Sequence, residues 1–384
     1  MNPTTSMQPN QAEPSAAMQA IPETQVHSLW WYSWRRLKRN KLAMLGLVIM
    51  VLLFLCAGFA WLIAPMNPNR QILEYARKPS GFAGNILVVK APGGTYPDEY
   101  IPIESYTAGP EFISFVRVGG SKDSVSRSHL ISADEAEWHQ TPTFVLGTDR
   151  FGRDVLSRLL YGARVSLSVA LFAEIIAIFI GVLLGALAGY FRGTVDAVIM
   201  WFTNVIWSFP FILLVLVFSL TLKEFIDVFD SIIPLSDWVG RGAWQTFLAI
   251  GLTSWVDTCR IVRGQFFSLR ETEYVEATRA VGFGPMRTIF RHILPNALGP
   301  IIVVATAGFA SAIIAEASLS FVGHGIELPT ATWGQMIYDG LGFLQAGQLP
   351  GLTLYPSIAI ALAVFAINVF GDGLRDALDS KMKV

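Results

Sequence analysis

Four ionisable side chains lie inside or beside long apolar stretches: Glu174, Asp257, Arg260 and Glu316. A charge in or near hydrocarbon is costly, so each should face a polar cavity or a partner. Asp257 and Arg260 stand three residues apart on one helix face, a spacing that allows an ion pair. A contact with solute is the alternative for that pair. Glu174 is a candidate for lining a pathway. Glu316 fits either a carboxylate snorkelling to the membrane surface or a contact at an external gate. The chemistry these residues offer is the handling of charge within a membrane rather than bond breaking. There is no Gly-x-x-x-x-Gly-Lys-[Ser/Thr] loop to cradle a nucleotide, so no ATP or other cofactor site is expected in the chain itself. His-Glu-x-x-His and Gly-x-Ser-x-Gly are missing too, and the five histidines are scattered, so neither a metal site nor a catalytic site is expected.

The elements that must position these groups are set by composition. Of 384 residues, 53% are hydrophobic and 15% charged, against about 25% charged in a soluble domain. Mean hydropathy is +0.48. Lys and Arg number 28 against 29 Asp and Glu, a net charge of -1, which excludes a nucleic-acid binder driven by a basic surface. Cys56 and Cys259 both sit in apolar runs and make no disulfide framework. A multi-spanning, all-α membrane protein remains.

A span needs roughly 20 mostly apolar residues to cross a ~30 Å hydrocarbon core. Six stretches qualify: Leu42–Ala64, Ser166–Tyr190, Ala197–Leu222, Ala243–Gly264, Ala297–Val322 and Leu352–Phe370. Pro210, near the middle of the third, is expected to kink it. In the second, Ala173, Ala177, Gly181, Gly185 and Gly189 recur every four residues, a small-residue stripe that lets another helix approach closely. Basic residues cluster before the first span (Arg35, Arg36, Lys38, Arg39, Lys41) and after the fourth (Arg263, Arg270, Arg279, Arg287, Arg291). Six crossings with that asymmetry place both termini in the cytoplasm.

Between and beyond the spans, residues 1–28 read as a disordered cytoplasmic tail. Residues 29–64 combine a basic, tryptophan-rich interfacial segment with the first span. Residues 65–145 form a small external lobe, with β-prone runs at Ile86–Lys90 and Phe112–Val118. It serves either as an ordered cover for the outer mouth or as a docking surface for an external partner. Residues 146–165 read as an external segment before the second span, and 374–384 as a cytoplasmic tail.

The loop between spans four and five, residues 270–296, is the most informative. Glu273–Ala280 holds good helix formers, Gly282 and Gly284 end that helix, and Pro285 suits the first turn of another. Met286, Ile289, Phe290 and Ile293 give the second helix one apolar face, and Pro295 is expected to end it. Two short helices with a bend between them should therefore lie across the membrane face.

Glu276, Ala277, Gly282, Leu294 and Pro295 in this loop resemble the "EAA" loop of ATP-binding-cassette (ABC) importer permeases, with Thr278 in place of the usual second Ala and His292 where an Ile is usual. Four further stretches are similar to the C-type permease subunit of the peptide/nickel branch: Arg39–Ala43, Leu146–Ser157, Glu316–Phe321 and Asn368–Asp379. The resemblance implies a type I importer permease fold over residues 162–373, with 270–296 as the coupling loop seated on a cytoplasmic ATPase. It implies a homologous second permease, two ATPase subunits that bind the ATP, and an extracytoplasmic solute-binding protein as partners, in the inner membrane. The expected solute is a di- or oligopeptide, with nickel or an oligosaccharide as alternatives inside the family. A stand-alone secondary transporter is the alternative outside it, and the inverted repeats it would need are not evident. A cysteine placed at Ser121 should react with an impermeant reagent from outside the intact inner membrane, and one at Ser380 should not. The opposite labelling pattern would reverse the topology.

Overall fold

The computed structural model describes residues 29–90, 98–232, 234 and 236–378. The tail at 1–28 and the last residues of the C-terminal tail, 379–384, lie outside them.

The chain opens with α1 (Leu29–Arg39), capped off by Asn40, whose side chain accepts from the Ala43 N–H to start α2 (Lys41–Gly58). A single turn, α3 (Ala60–Ile63), finishes the first apolar run. Leu37 anchors α1 to the bundle, buried with Ala43 and Ala377.

The lobe that follows is a β-structure of its own. Strands β1 (Phe82–Ala83), β2 (Asn85–Val89), β3 (Glu99–Ala108), β4 (Phe112–Arg117) and β5 (Lys122–Ser126) precede a turn of helix α4 (Glu135–Trp138), then β6 (His139–Gln140) and β7 (Thr143–Phe144). Five of them form one antiparallel sheet in the order β5-β4-β3-β2-β6, and β1 pairs with β7. The two β-prone runs expected from sequence are β2 and β4. The longest strand, β3, escaped because Pro102 and its polar residues at Glu104, Ser105 and Thr107 break the apolar pattern. Leu87, Ile103, Ile113, Phe115 and Trp138 fill the core between sheet and α4.

The bundle begins earlier than expected. Helix α5 (Val155–Phe191) runs 37 residues, about 55 Å at the usual rise, so the segment 155–165 is helix rather than a lead-in. Asp154 caps it, accepting from the Ser157 N–H at 2.7 Å and the Ser157 hydroxyl at 2.6 Å. The third apolar stretch is two helices, α6 (Gly193–Trp207) and α7 (Phe211–Leu222), bent by 93°. This is a break and not the expected kink. Ser208 and Phe209 turn the chain, Pro210 has no N–H to continue α6, and its ring holds Phe209 out of the helical region. Short helices α8 (Ile226–Ile232) and α9 (Ser236–Val239) lead to α10 (Ala243–Leu269). Beyond the loop helices α11 (Glu273–Ala280) and α12 (Pro285–Arg287) come α13 (Leu294–Phe321), α14 (Trp333–Gln345) and α15 (Gly351–Leu378).

Among the described residues, four helices are long and apolar enough to cross a membrane: α2, α5, the continuous run Pro285–Phe321 and α15, or five if α6 and α7 count as one bent span. Helix α10 is long but carries Asp257, Arg260 and Arg263. Those charges and its polar residues put it outside that count. It lies along α5, and the small-residue stripe is the reason. A Cβ on Gly181 would meet the Thr258 side chain at 2.6 Å, one on Gly185 the Cys259 carbonyl at 2.5 Å, and one on Gly189 the Phe266 Cβ at 2.5 Å. Gly251 of α10 returns the approach, close to the Ala173 carbonyl and the Ile176 side chain.

The connection after α13 carries a helix of its own. It contains α14, capped by the Thr332 hydroxyl, which accepts from the Gln335 N–H, with Trp333 buried against α5. The stretch Leu146–Ser157 explains itself here. Asp149 accepts from the Phe151 and Arg153 backbone N–H groups and pairs with Arg153 at 2.6 Å and Arg158 at 3.6 Å. Arg153 and Arg150 then reach Asp339 of α14, at 3.3 and 3.0 Å. Asp149, Arg153, Arg158 and Asp339 are all buried, so each charge depends on the others. The same segment ties down the lobe: Met66 N–H donates to Ser157, and Arg158 donates to the Pro68 carbonyl.

Replacing Gly185 with leucine should cost about 1–3 kcal/mol or more by overpacking against α10, read as a lower thermal midpoint of the purified protein. Gly264→Leu, where an added Cβ meets nothing within 4 Å, should leave the midpoint unchanged.

Candidate functional site

The ends of α5 and α10 and the start of α13 converge on one apolar cluster, in which Tyr190, Val262, Phe266, Ile289, Ile293 and Ala297 surround Val275. Val275 belongs to α11, so this cluster seats the loop helix on the bundle. Its first turn carries Glu273 and Glu276, favourable beside the positive end of the helix dipole. Thr278, also facing inward, donates to the Val275 carbonyl. Arg270, just past α10, donates to the Tyr190 carbonyl at the end of α5, and Arg192 pairs with Glu271 at 2.7 Å. Burial and the neighbouring Arg279 and Arg192 charges push the Arg270 guanidinium below its ordinary value.

With Val275 and Thr278 turned in, the rest of α11 points out. Glu273, Tyr274, Glu276, Ala277 and Ala280 are exposed, as are Val281 and Gly282 beyond the helix. Helix α11 occupies the span expected from sequence. Its end is a left-handed turn at Gly282 (φ +87), where the Gly282 N–H bonds Arg279 and the Phe283 N–H bonds Thr278. That is a glycine C-cap of the Schellman kind. Phe283 stacks on His292 with centroids 5.5 Å apart, and Arg287 lies over the Phe283 ring, so the bend is held from both sides.

The second loop helix differs from expectation. Pro295 does not end it. The chain passes from α12 through a π-helical turn, Thr288–Ile293, straight into α13, with the Leu294 N–H reaching the Ile289 carbonyl five residues back. A wider turn relieves the clash of the proline ring with the preceding carbonyls, and the Asn296 amide satisfies the His292 carbonyl at 2.7 Å. The same turn splits the expected apolar face: Ile289 and Ile293 are buried, whereas Met286 and Phe290 are half-exposed. Tyr274, Val281, Met286 and Phe290 are thus exposed apolar residues on the same loop as the exposed Glu276 and Ala277, whereas the sequence pattern puts Met286 and Phe290 on one face with Ile289 and Ile293. Leu294 is partly buried, and Pro295 is exposed.

The intramembrane candidates separate. Glu316 is fully buried, accepts from the Ser320 hydroxyl at 2.7 Å and has Ser166 and Thr332 beside it, so it does not snorkel. Glu174 is buried against Gly308 of α13, its Oε1 without a hydrogen-bond partner. The ion pair expected between Asp257 and Arg260 does not form. Arg260 turns to α6, donating to Asn204 at 2.8 Å and lying 3.9 Å from the Trp207 ring centre, and leaves Asp257 exposed. An adjacent aromatic and an amide at the 93° break compete successfully with a surface carboxylate.

Comparison with known proteins agrees with this architecture. Residues 181–384 match the binding-protein-dependent transport system inner membrane component family, and residues 28–79 the N-terminal transmembrane domain of oligopeptide transport permease C. The dipeptide transport system permease protein DppC of Bacillus subtilis is 34% identical over 91% of this chain and 85% of its own length. The oligopeptide permease protein OppC of the same organism is 31% identical over 97% and 98%. The chain belongs to the binding-protein-dependent permease family. It is therefore a multi-pass permease of the inner membrane. Escherichia coli OppC is 39% identical over 61% of this chain. An inward-facing MetNI methionine ABC transporter aligns over 58% of this chain and 97% of that one, at 22% identity and a TM-score of 0.46.

In this permease an added Cβ at Gly282 would meet nothing within 4 Å, so a larger residue there strains only the backbone. Gly282→Val should cost about 1–3 kcal/mol at that turn while the protein still accumulates in the membrane. In reconstituted vesicles ATP hydrolysis should then run without solute uptake; normal coupling would remove the turn from the mechanism.

Proposed function

We propose that this chain is one of two permease subunits of an ATP-driven type I importer for di- or oligopeptides. The observation that carries the reading is the outward face of α11 with the exposed apolar residues of its loop. An acidic and apolar surface stands on the inner ends of three bundle helices, with Gly282 setting its angle. A cytoplasmic ATPase gripping that surface would pull directly on α5, α10 and α13. Two ATPase subunits closing on nucleotide would draw two such helices together and rock the paired bundles between inward- and outward-facing states. ATP stays on those subunits, and this chain performs no catalysis.

On this reading α10 crosses the membrane with the four apolar helices and the bent α6–α7 pair, six spans in all. Both termini are then cytoplasmic, and an extracytoplasmic binding protein approaches from the side of the β-lobe. The homologous second permease completes the pathway, and lipid covers the remaining apolar surface. The peptide assignment rests on the relatives whose names specify dipeptide or oligopeptide transport. Glu174 and Glu316 act as buried polar contacts between α5, α13 and α14 that a change of state would rearrange, and not as groups open to solute in the state seen here.

Glu276→Lys should abolish uptake to background and prevent the ATPase subunits from copurifying, with the chain still in the membrane. Uptake at the wild-type rate would count against docking through α11.

A further inference from the structure

At the far end of the first span from Lys41, a cavity of about 720 Å³ opens between the neck of the lobe, the start of α5 and helix α9. Among the described residues, its lining carries two guanidinium groups, Arg70 and Arg164, and no carboxylate. Arg164 lies 4.6 Å from the centre of the Trp238 ring, and its Nε is buried without a hydrogen-bond partner. A buried donor left unmade is expensive, and a guanidinium held over an aromatic ring keeps its N–H groups for a bidentate acceptor. Arg70 is held the same way, 3.6 Å from the Tyr100 ring centre and donating to its hydroxyl at 2.7 Å. Such a pair selects an anion with several oxygens, of which phosphate is the best match to the guanidinium fork.

The position of the cavity says what carries the phosphate. Residues 41–63 at about 1.5 Å each place Trp61 roughly 30 Å from Lys41, the thickness of the hydrocarbon core. Trp61 and Ala64 line the cavity, and Trp61, Leu62 and Ile63 are at least half exposed on the helix end below it. The opening therefore sits at the level where tryptophan marks the boundary between headgroup and acyl chain, with apolar surface beneath it for a chain to lie on. A soluble anion would make no use of that surface.

We propose that this cavity is a site for the phosphate of an anionic phospholipid of the outer leaflet, held by Arg164 and Arg70, with Trp61 against the glycerol and upper acyl chain. The bound lipid fills the seam between lobe and bundle and completes the Arg164 hydrogen bonds. The choice of the outer leaflet rests on the orientation proposed above, but solute and ATPase subunits are not involved, so lipid retention and transport fail separately.

Native mass spectrometry of the purified full-length protein with added phosphatidylglycerol tests it. The wild type should retain one tightly held lipid, and Arg164→Gln should weaken retention by about tenfold or more, the effect of losing charge-assisted hydrogen bonds. Trp238→Leu and Arg70→Gln should each weaken it without removing Arg164, and so report even if Arg164→Gln does not fold. Equal retention by the wild type and all three variants would overturn the site. Displacement of the lipid by millimolar inorganic phosphate would overturn the lipid assignment for a free anion, and displacement by a tripeptide would do so for a substrate carboxylate.

Discussion

Helix α5 and helix α10 touch backbone to backbone, and most of the molecule is arranged around that contact. In a bilayer no hydrophobic force pushes helices together, because lipid tails are as apolar as leucine side chains. What remains is dispersion over a close-fitting surface, which small residues make available. Gly181, Gly185 and Gly189 give up their side chains so that Thr258, Cys259 and Phe266 can sit against the α5 backbone. The contact runs to the end of both helices, where Tyr190, Val262 and Phe266 provide the floor on which Val275 rests. Helix α11 is thus positioned by a stripe of glycines that begins two turns away along α5.

At the other end the constraint is electrostatic. Asp149, Arg153, Arg158 and Asp339 are buried together, and any one left alone would be an uncompensated charge. Their mutual pairing fixes α14 to the start of α5; the Met66 N–H donating to the Ser157 hydroxyl, and Arg158 donating to the Pro68 carbonyl, fix the β-lobe to the same point. Packing holds the half of the bundle that carries α11, and an ion network holds the half beside the β-lobe.

Much of this could be read from the residues alone. Helix α11, its glycine end at Gly282, and the close approach along the α5 stripe follow from local rules that tertiary context did not override. Other features depended on contacts that sequence spacing does not show. Arg260 ignored Asp257 because Trp207 and Asn204, far away in the chain, offered a better seat. Helix α10 reads as less apolar than its neighbours because other helices cover it. The π-turn turned Met286 and Phe290 away from Ile289 and Ile293, a rotation invisible to a pattern that assumes one helical period. Strand β3 hid behind its polar residues, and α14 lies in a stretch between two apolar runs. Its signals, the Thr332 cap and the Trp333–Met336–Gly340 spacing, were nevertheless present.

The unbroken run from Pro285 to Phe321 has a mechanical meaning. A hinge at Pro295 would have let the inner segment swing while the rest stayed still. A continuous helix instead joins Met286 to Ser320 and Glu316 without a break, so on the proposed mechanism a force applied at the loop would be carried along it. The one over-wide turn, Thr288–Ile293, is then the place where the helix can take up or release a fraction of a turn of winding, so a push from below can become rotation above.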